Sequence, residues 1–346
     1  MVLGYSNREA RQIENLLREA QADVAGLLSH RLTQLRQRGY DLRPASTRRL
    51  TRLYSALDEL LGSIYREAHN QTRERLLQLA SGEAEFARNL LATTVPIEVG
   101  TALPSGTTLR SVVVSRPFQG RHLREWFTSL EQAQKKNLRQ AVRLGIAEGE
   151  SIDRITERVL GTRGAQFTDG ALDVGRRQAR AVVRTAVNHV SNHAREALYE
   201  NMGNLISGVQ IVATLDGRTT PICRGLDGQV FPLGQGGRPP FHVNCRTTTV
   251  PVTRSARELG LGNFDSLPVS TRASMNGQVA GNLRYDQWFR DQSVAFQREV
   301  LGPNRHRMFQ AGLTDIRRFA DRNGRLYTLP ELYRREATIA QAANTV

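Results

Sequence analysis

Residues 173–214 read DVGRRQARAVVRTAVNHVSNHAREALYENMGNLISGVQIVAT, and a change of period inside this stretch decides the fold class. From Asp173 to about Asn201, the residues Ala179, Val182, Val183, Ala186, Val187, Val190 and Ala197 recur at three- and four-residue spacing, the repeat of one helix face. After Gly203 the pattern turns extended and β-branched, so Gly208 to Thr214 predicts a strand. Two more short strands are expected at Gly228 to Phe231 and Thr247 to Val252, set off by turns rich in Gly and Pro. A small antiparallel sheet at about 207–252 beside a long helix is an α+β arrangement.

Outward from this stretch, helix dominates. Ile13, Leu16, Leu17, Ala20, Val24, Leu27, Leu28, Leu32 and Leu35 form one apolar stripe. Residues 39–44 carry turn signals, Ser46 or Thr47 can cap a second helix, and its stripe runs from Leu50 through Tyr65 to Leu79. Residues 1–92 therefore read as a long helical hairpin, which must cover its stripes with the rest of the chain or another protein. Pro and Gly punctuate residues 93–120, where β-branched runs at 95–99 and Val112 to Val114 suggest a linker with short strands. Helices resume at His122 and form the body of a domain spanning 121–346; its C-terminal part (285–346) is expected as helices from Tyr285 to Leu301, from Arg305 to Arg322, and from Thr328 onward. The predicted class is thus α+β and predominantly α-helical.

The chain has 346 residues, 48 Lys plus Arg against 33 Asp plus Glu, and a net charge of +15. Lys135 and Lys136 are the only lysines, so arginine supplies almost all the positive charge. A polyanion is the expected partner, although a GC-rich coding sequence also favours Arg. The charge is spread along the chain rather than held in a tail. Two cysteines build no disulfide framework, and the first residues lack the apolar stretch of a signal peptide, which favours a reducing cytoplasm during synthesis. No apolar run approaches the ~18 residues of a membrane span.

The most specific stretch is TLDGRTTPICRGLDGQVFPLGQGGRPPFHVNCRTTTVPV, residues 214–252. A strand leads to Asp216, Arg218 and Thr219; Cys223 precedes Leu226-Asp227-Gly228; a glycine loop ends in Pro239, Pro240, His242, Asn244, Cys245 and Arg246. This order resembles the C-terminal motif of the Mu F-like family of tailed-phage minor head, or head morphogenesis, proteins. The resemblance extends to Arg184, Thr185, Asn188 and Asn192 upstream and to the YDQWFRDQ and REVLG segments downstream, about residues 115–320. It departs at Thr220 and Thr247, where the family pattern has Cys. The resemblance implies a non-enzymatic virion component inside the capsid near the portal, supporting procapsid assembly and DNA packaging or ejection. Its implied partners are the portal protein, other capsid or scaffold proteins, and DNA without sequence preference.

Chemically, Cys223, His242 and Cys245 are zinc-type ligands, and Asp216 or Asp227 could complete a tetrahedron. The loss of two cysteines to threonine favours a motif without a cofactor, and a Cys223–Cys245 disulfide is disfavoured in the cytoplasm. Asp216, Arg218, Asp227, Gly228, Pro240, His242, Asn244 and Arg246 are expected to hold the sheet and turns together rather than to catalyse. Arg176, Arg180 and Arg184, four apart on the long helix, are candidate DNA contacts; the alternative is pairing with nearby Asp and Glu. His189 and His193 have zincin spacing without its glutamate, since Val190 stands in that place. The rival function is a metal-dependent nuclease of the His-Asn-His type, suggested by Cys223, His242 and Asn244. It lacks an acidic partner beside the histidine and a later histidine in reach, His306 being about sixty residues away.

Overall fold

A computed structural model describes residues 2–37, 47–94, 102–255, 257–259, 270–321 and 325–343. The expected turn at 39–44, the cap at Ser46 and the β-branched run at 95–99 lie outside the described residues. The chain is predominantly helical with a small antiparallel sheet, the class expected from its periodicity. It divides into two compact units: residues 1–83 with 105–194, and residues 84–104 with 195–346.

The first unit contains α1 (Val2–Gln37), most of α2 (Thr47–Thr94), α3 (Gly106–Val114), α4 (Leu123–Ala147), α5 (Ile152–Leu160) and the first three quarters of α6 (Asp173–Glu200). α1 and α2 run antiparallel: Glu9 pairs with Arg75 at 2.8 Å, and the Tyr5 hydroxyl donates to the Arg75 carbonyl. Their apolar stripes meet the helices that follow. Ile13, Leu28, Leu57, Leu138 and Ile155 are essentially sealed from solvent. Arg139 reaches Asp58, and Arg158 joins α5 to Glu150. Residues 1–83 thus share a core with 105–194, a division unlike the boundaries 1–92, 93–120 and 121–346 drawn from composition. Gly175 permits a close approach between helices, because a Cβ there would lie 2.0 Å from Gln134 Oε1 and 2.6 Å from the Tyr65 hydroxyl.

Val112 to Val114 form the last turn of α3 rather than a strand. The Ser105 side chain caps this helix by accepting from the Thr108 amide, and Leu109, Val112 and Val113 bury at three- and four-residue spacing. The cap and a buried apolar face outweigh the β preference of a valine run.

The second unit is built on β1 (Ile206–Val212), with α7 (Pro221–Leu226), β2 (Val230–Pro232) and β3 (Thr248–Thr253) following. β1 lies in the middle, antiparallel to both neighbours: Gln210 stands opposite Val230 on one side and Val250 on the other. Its inner residues Ile206, Val209 and Ile211 are buried, Val209 against Leu198, Tyr199 and Leu205. Gly208 is required here, since a Cβ would fall 2.4 Å from the Phe231 carbonyl oxygen. A hairpin of β4 (Thr271–Ser274) and β5 (Gly277–Ala280) was not expected from the sequence.

Two C-terminal helix predictions need correction. Tyr285 to Leu301 is two helices, α8 (Tyr285–Arg290) and α9 (Val294–Leu301), because Ser293 caps α9 and the Gln297 side-chain Nε2 donates to the carbonyls of Phe289, Arg290 and Gln292 at the break. The helix expected from Arg305 to Arg322 is α10 (Pro303–Gln310), followed by a turn through Gly312 (φ +69°) and one 3-10 turn at Ile316–Arg318 that Asp315 caps. Thr328 does cap the last helix, α11 (Leu329–Ala343), with Glu331 reaching back to the Thr328 amide at 2.7 Å. Tyr285, Trp288, Phe289, Met308, Phe309, Phe319 and Leu332 close one aromatic-rich core with Leu215.

Candidate functional site

The irregular chain between β1 and β3 leaves many backbone groups without ladder partners, and side-chain carboxylates and guanidiniums supply them. Asp216 stands just past β1. Its Oδ1 accepts from the amides of Arg218 and Thr219, both at 3.0 Å, which forms a tight turn into α7. Arg246 grips the same carboxylate from the opposite end of the motif with two nitrogens, at 2.5 and 2.8 Å. Burial alone would raise the Asp216 pKa, but the hydrogen bond and charge of Arg246 hold it below its usual range. Arg218 is different: its side chain is 85% exposed and only 3.8 Å from Asp216, so it contributes mainly its amide to the turn.

Asp227 is the second hub. Its side chain is 1% exposed and accepts from the Ala213 amide at 2.7 Å, the Tyr285 amide at 2.7 Å and the Arg272 guanidinium at 2.7 Å. Arg272 also donates to the Leu283 and Ala213 carbonyls. Gly228, with φ +80°, turns the chain back so that its amide reaches the Ile211 carbonyl. The Tyr285 hydroxyl donates to the Asp216 carbonyl, and Arg224 lies over the Tyr285 ring while donating to the Gly217 carbonyl. The glycine loop before Pro239 is tied to α6 by a buried pair, Arg238 with Glu196 at 2.6 Å.

Pro240 is buried, and the turn from His242 to Cys245 closes with a Cys245 amide to His242 carbonyl bond of 3.2 Å. Asn244 takes the left-handed conformation, φ +61°. Cys223 and Cys245 are buried free thiols whose sulfurs lie 3.7 Å apart, too far for a disulfide, and His242 Nε2 lies 3.3 Å from Cys223 Sγ. The hydrogen bond from Cys223 and the nearby His242 favour ionisation of Cys245, whereas that bond and burial push Cys223 the other way. Burial would lower the His242 pKa, but the Cys245 contact raises it.

The sequence-selected residues therefore divide. Asp216, Asp227, Gly228, Pro240, His242, Asn244, Cys223, Cys245 and Arg246 fall within one motif, with Arg218 at its rim. The arginines on α6 do not form a free stripe. Arg176 is 6% exposed, bound to Asp173 at 2.5 Å and to the Phe167 carbonyl; Arg180 lies 3.7 Å from Glu14, and Arg184 donates to the Asn7 side chain. For Arg176 this corrects the DNA-contact reading, since a cation enclosed with its own carboxylate presents no surface to phosphate. His189 and His193 are buried, their rings 4.5 Å apart, with Arg116 donating to His193 Nδ1 at 2.9 Å. Among the described residues the metal-type cluster is Cys223, His242 and Cys245, and it contains no carboxylate. The nuclease reading thus lacks its acidic ligand at His242. Sequence reasoning missed Arg272, Glu196, Arg238 and Arg224 as structural partners; Tyr285 was flagged only within YDQWFRDQ.

Residues 135–250 match the family model described as Phage Mu protein F like protein, so this segment of the chain is similar to that family. No curated protein and no solved structure matches the chain.

Proposed function

We propose that this protein is a minor component of a tailed-phage head, associated with the portal vertex inside the capsid and acting without catalysis in procapsid assembly and in DNA packaging or ejection. The observation that carries this reading is the Mu F-like match over residues 135–250, the segment that contains the Asp216 to Arg246 motif. The geometry supports a structural role because Asp216 and Asp227, the carboxylates most suited to chemistry, are held by Arg246 and Arg272 and by backbone amides. Contacts with DNA phosphates would come from the excess of +15 carried on exposed arginines such as Arg218, and would lack sequence preference.

Quantitative mass spectrometry of purified procapsids and filled heads tests the proposal. The protein is expected in portal-containing particles at a copy number far below that of the shell protein. Its absence from the particles, or an abundance equal to the shell protein, overturns the reading.

A further inference from the structure

The cluster at Cys223, His242 and Cys245 brings three metal-type ligand atoms together in a buried corner of the motif. The ligand-type atoms of all three residues lie within 4.8 Å of one another, with sulfur to sulfur at 3.7 Å. A tetrahedral zinc with Zn–S of ~2.3 Å and Zn–N of ~2.0 Å sets the sulfurs ~3.8 Å apart and each sulfur ~3.5 Å from the nitrogen. The sulfur pair matches that edge, and the 3.3 Å from Cys223 Sγ to His242 Nε2 is within a few tenths of the other.

A second observation concerns the imidazole. His242 Nδ1 lies 2.9 Å from the Val243 carbonyl oxygen, which can only accept, so Nδ1 carries the proton. In the neutral ring Nε2 then carries the lone pair, and it is Nε2 that faces the sulfur. Orientation of a ligating histidine by a carbonyl on its other nitrogen is the usual supporting arrangement at metal sites. A third observation is local. The Thr220 hydroxyl, three residues before Cys223, is buried beside the Cys223 thiol.

We propose that Cys223, Cys245 and His242 bind one zinc ion, with the fourth position taken by an oxygen, either water or the Thr220 hydroxyl. Asp216 and Asp227 are not the fourth ligand, because Arg246 and Arg272 already occupy them. Binding releases the two thiol protons to solvent and leaves both sulfurs as thiolates, with no change of oxidation state. The ion would join α7 to the turn at 242–245 and so tie the two halves of the motif together. This inference stands whether or not the chain acts at the portal.

The full chain, expressed with zinc in the medium and purified under reducing conditions, is expected to carry about one zinc per molecule. Chelator-stripped protein refilled with cobalt(II) is expected to show thiolate-to-metal charge-transfer absorption. Cys223→Ser and Cys245→Ser each abolish that absorption, and His242→Gln weakens zinc affinity by at least about tenfold. The proposal is overturned by any of three results: wild-type protein with neither zinc nor a cobalt–thiolate band, metal that remains when both cysteines are replaced, or a mass two hydrogens lower that reports a disulfide. If the serine variants do not fold, the wild-type cobalt spectrum decides alone.

Discussion

The helical unit and the sheet motif are stabilised by different means, and the difference lies in redundancy. Around α1, α2, α4, α5 and α6, a large share of the buried groups is aliphatic: Ile13, Leu28, Leu57, Leu138, Ile155, Val183 and Val187 are all sealed from solvent. Such burial is non-directional, so a lost methyl group removes a share and little else. Between β1 and α8 the buried groups include Asp227, Arg272 and Arg224. Each satisfies particular backbone atoms, and no neighbour can replace it. The first region tolerates change by degrees; the second depends on individual atoms.

A pair of one-group substitutions tests that contrast most strongly. Asp227→Asn preserves shape but leaves Arg272 buried without its counter-charge, and is expected to cost about 3–5 kcal/mol. Ile155→Val in the helical unit is expected to cost about 1 kcal/mol. Denaturant unfolding of both variants measures the gap, and equal losses would break the comparison.

Acid sharpens it, because the two regions fail in different pH windows. His189 is buried beside Phe118, and burial, aided by the charges of His193 and Arg116, lowers its pKa to about 3. An unfolded histidine binds its proton near 6.5, so this group's stabilisation is complete above that pH and is lost as pH falls towards 3. The expected slope is up to about 1.4 kcal/mol per pH unit. Asp216 also has a lowered pKa, but its unfolded reference is near 3.9, so its contribution is lost only below about pH 4. Stability measured between pH 7 and 4 should therefore fall in the wild type and flatten in His189→Gln. An unchanged profile would show that His189 is not the sensitive group.

A smaller effect than that of Asp227→Asn is expected at Asn244. Its φ of +61° suits Asn or Gly, so Asn244→Ala should cost about 1–2 kcal/mol and Asn244→Gly a few tenths. Thermal melts of the two variants separate a backbone requirement from a side-chain one: equal losses would assign the effect to the amide group.

The same contrast explains what could be read in advance. Long apolar stripes announced α1, α2 and α6, because their spacing is repeated many times. The three strands of the main sheet were legible from short β-branched runs between glycines. Pro221 after Thr220 is an N-terminal helix signal, and Asn276-Gly277 a hairpin signal, yet each is brief enough to pass for loop. Within the motif, Asp216 and Arg246 could be selected but not paired, since 30 residues separate them and only the fold brings them together. Arg272 and Glu196 gave no sign at all: a charged residue in a short strand or near a helix end usually faces water. The α6 arginines show the converse, a regular stripe that in fact packs against Asp173, Glu14 and Asn7.

The Asp227 carboxylate has a consequence for the order in which the chain can mature. One of its amide donors, Tyr285, lies 58 residues further on, and its cation, Arg272, lies 45 residues further on. As the polypeptide leaves the ribosome, β1, β2 and β3 can pair while this carboxylate still lacks its counter-charge, and water must supply what Tyr285 and Arg272 later provide. A gene fusion made directly after β3 would therefore place a foreign domain where the native motif needs its own hairpin and the first turn of α8, whereas a fusion beyond α11 leaves those donors in place.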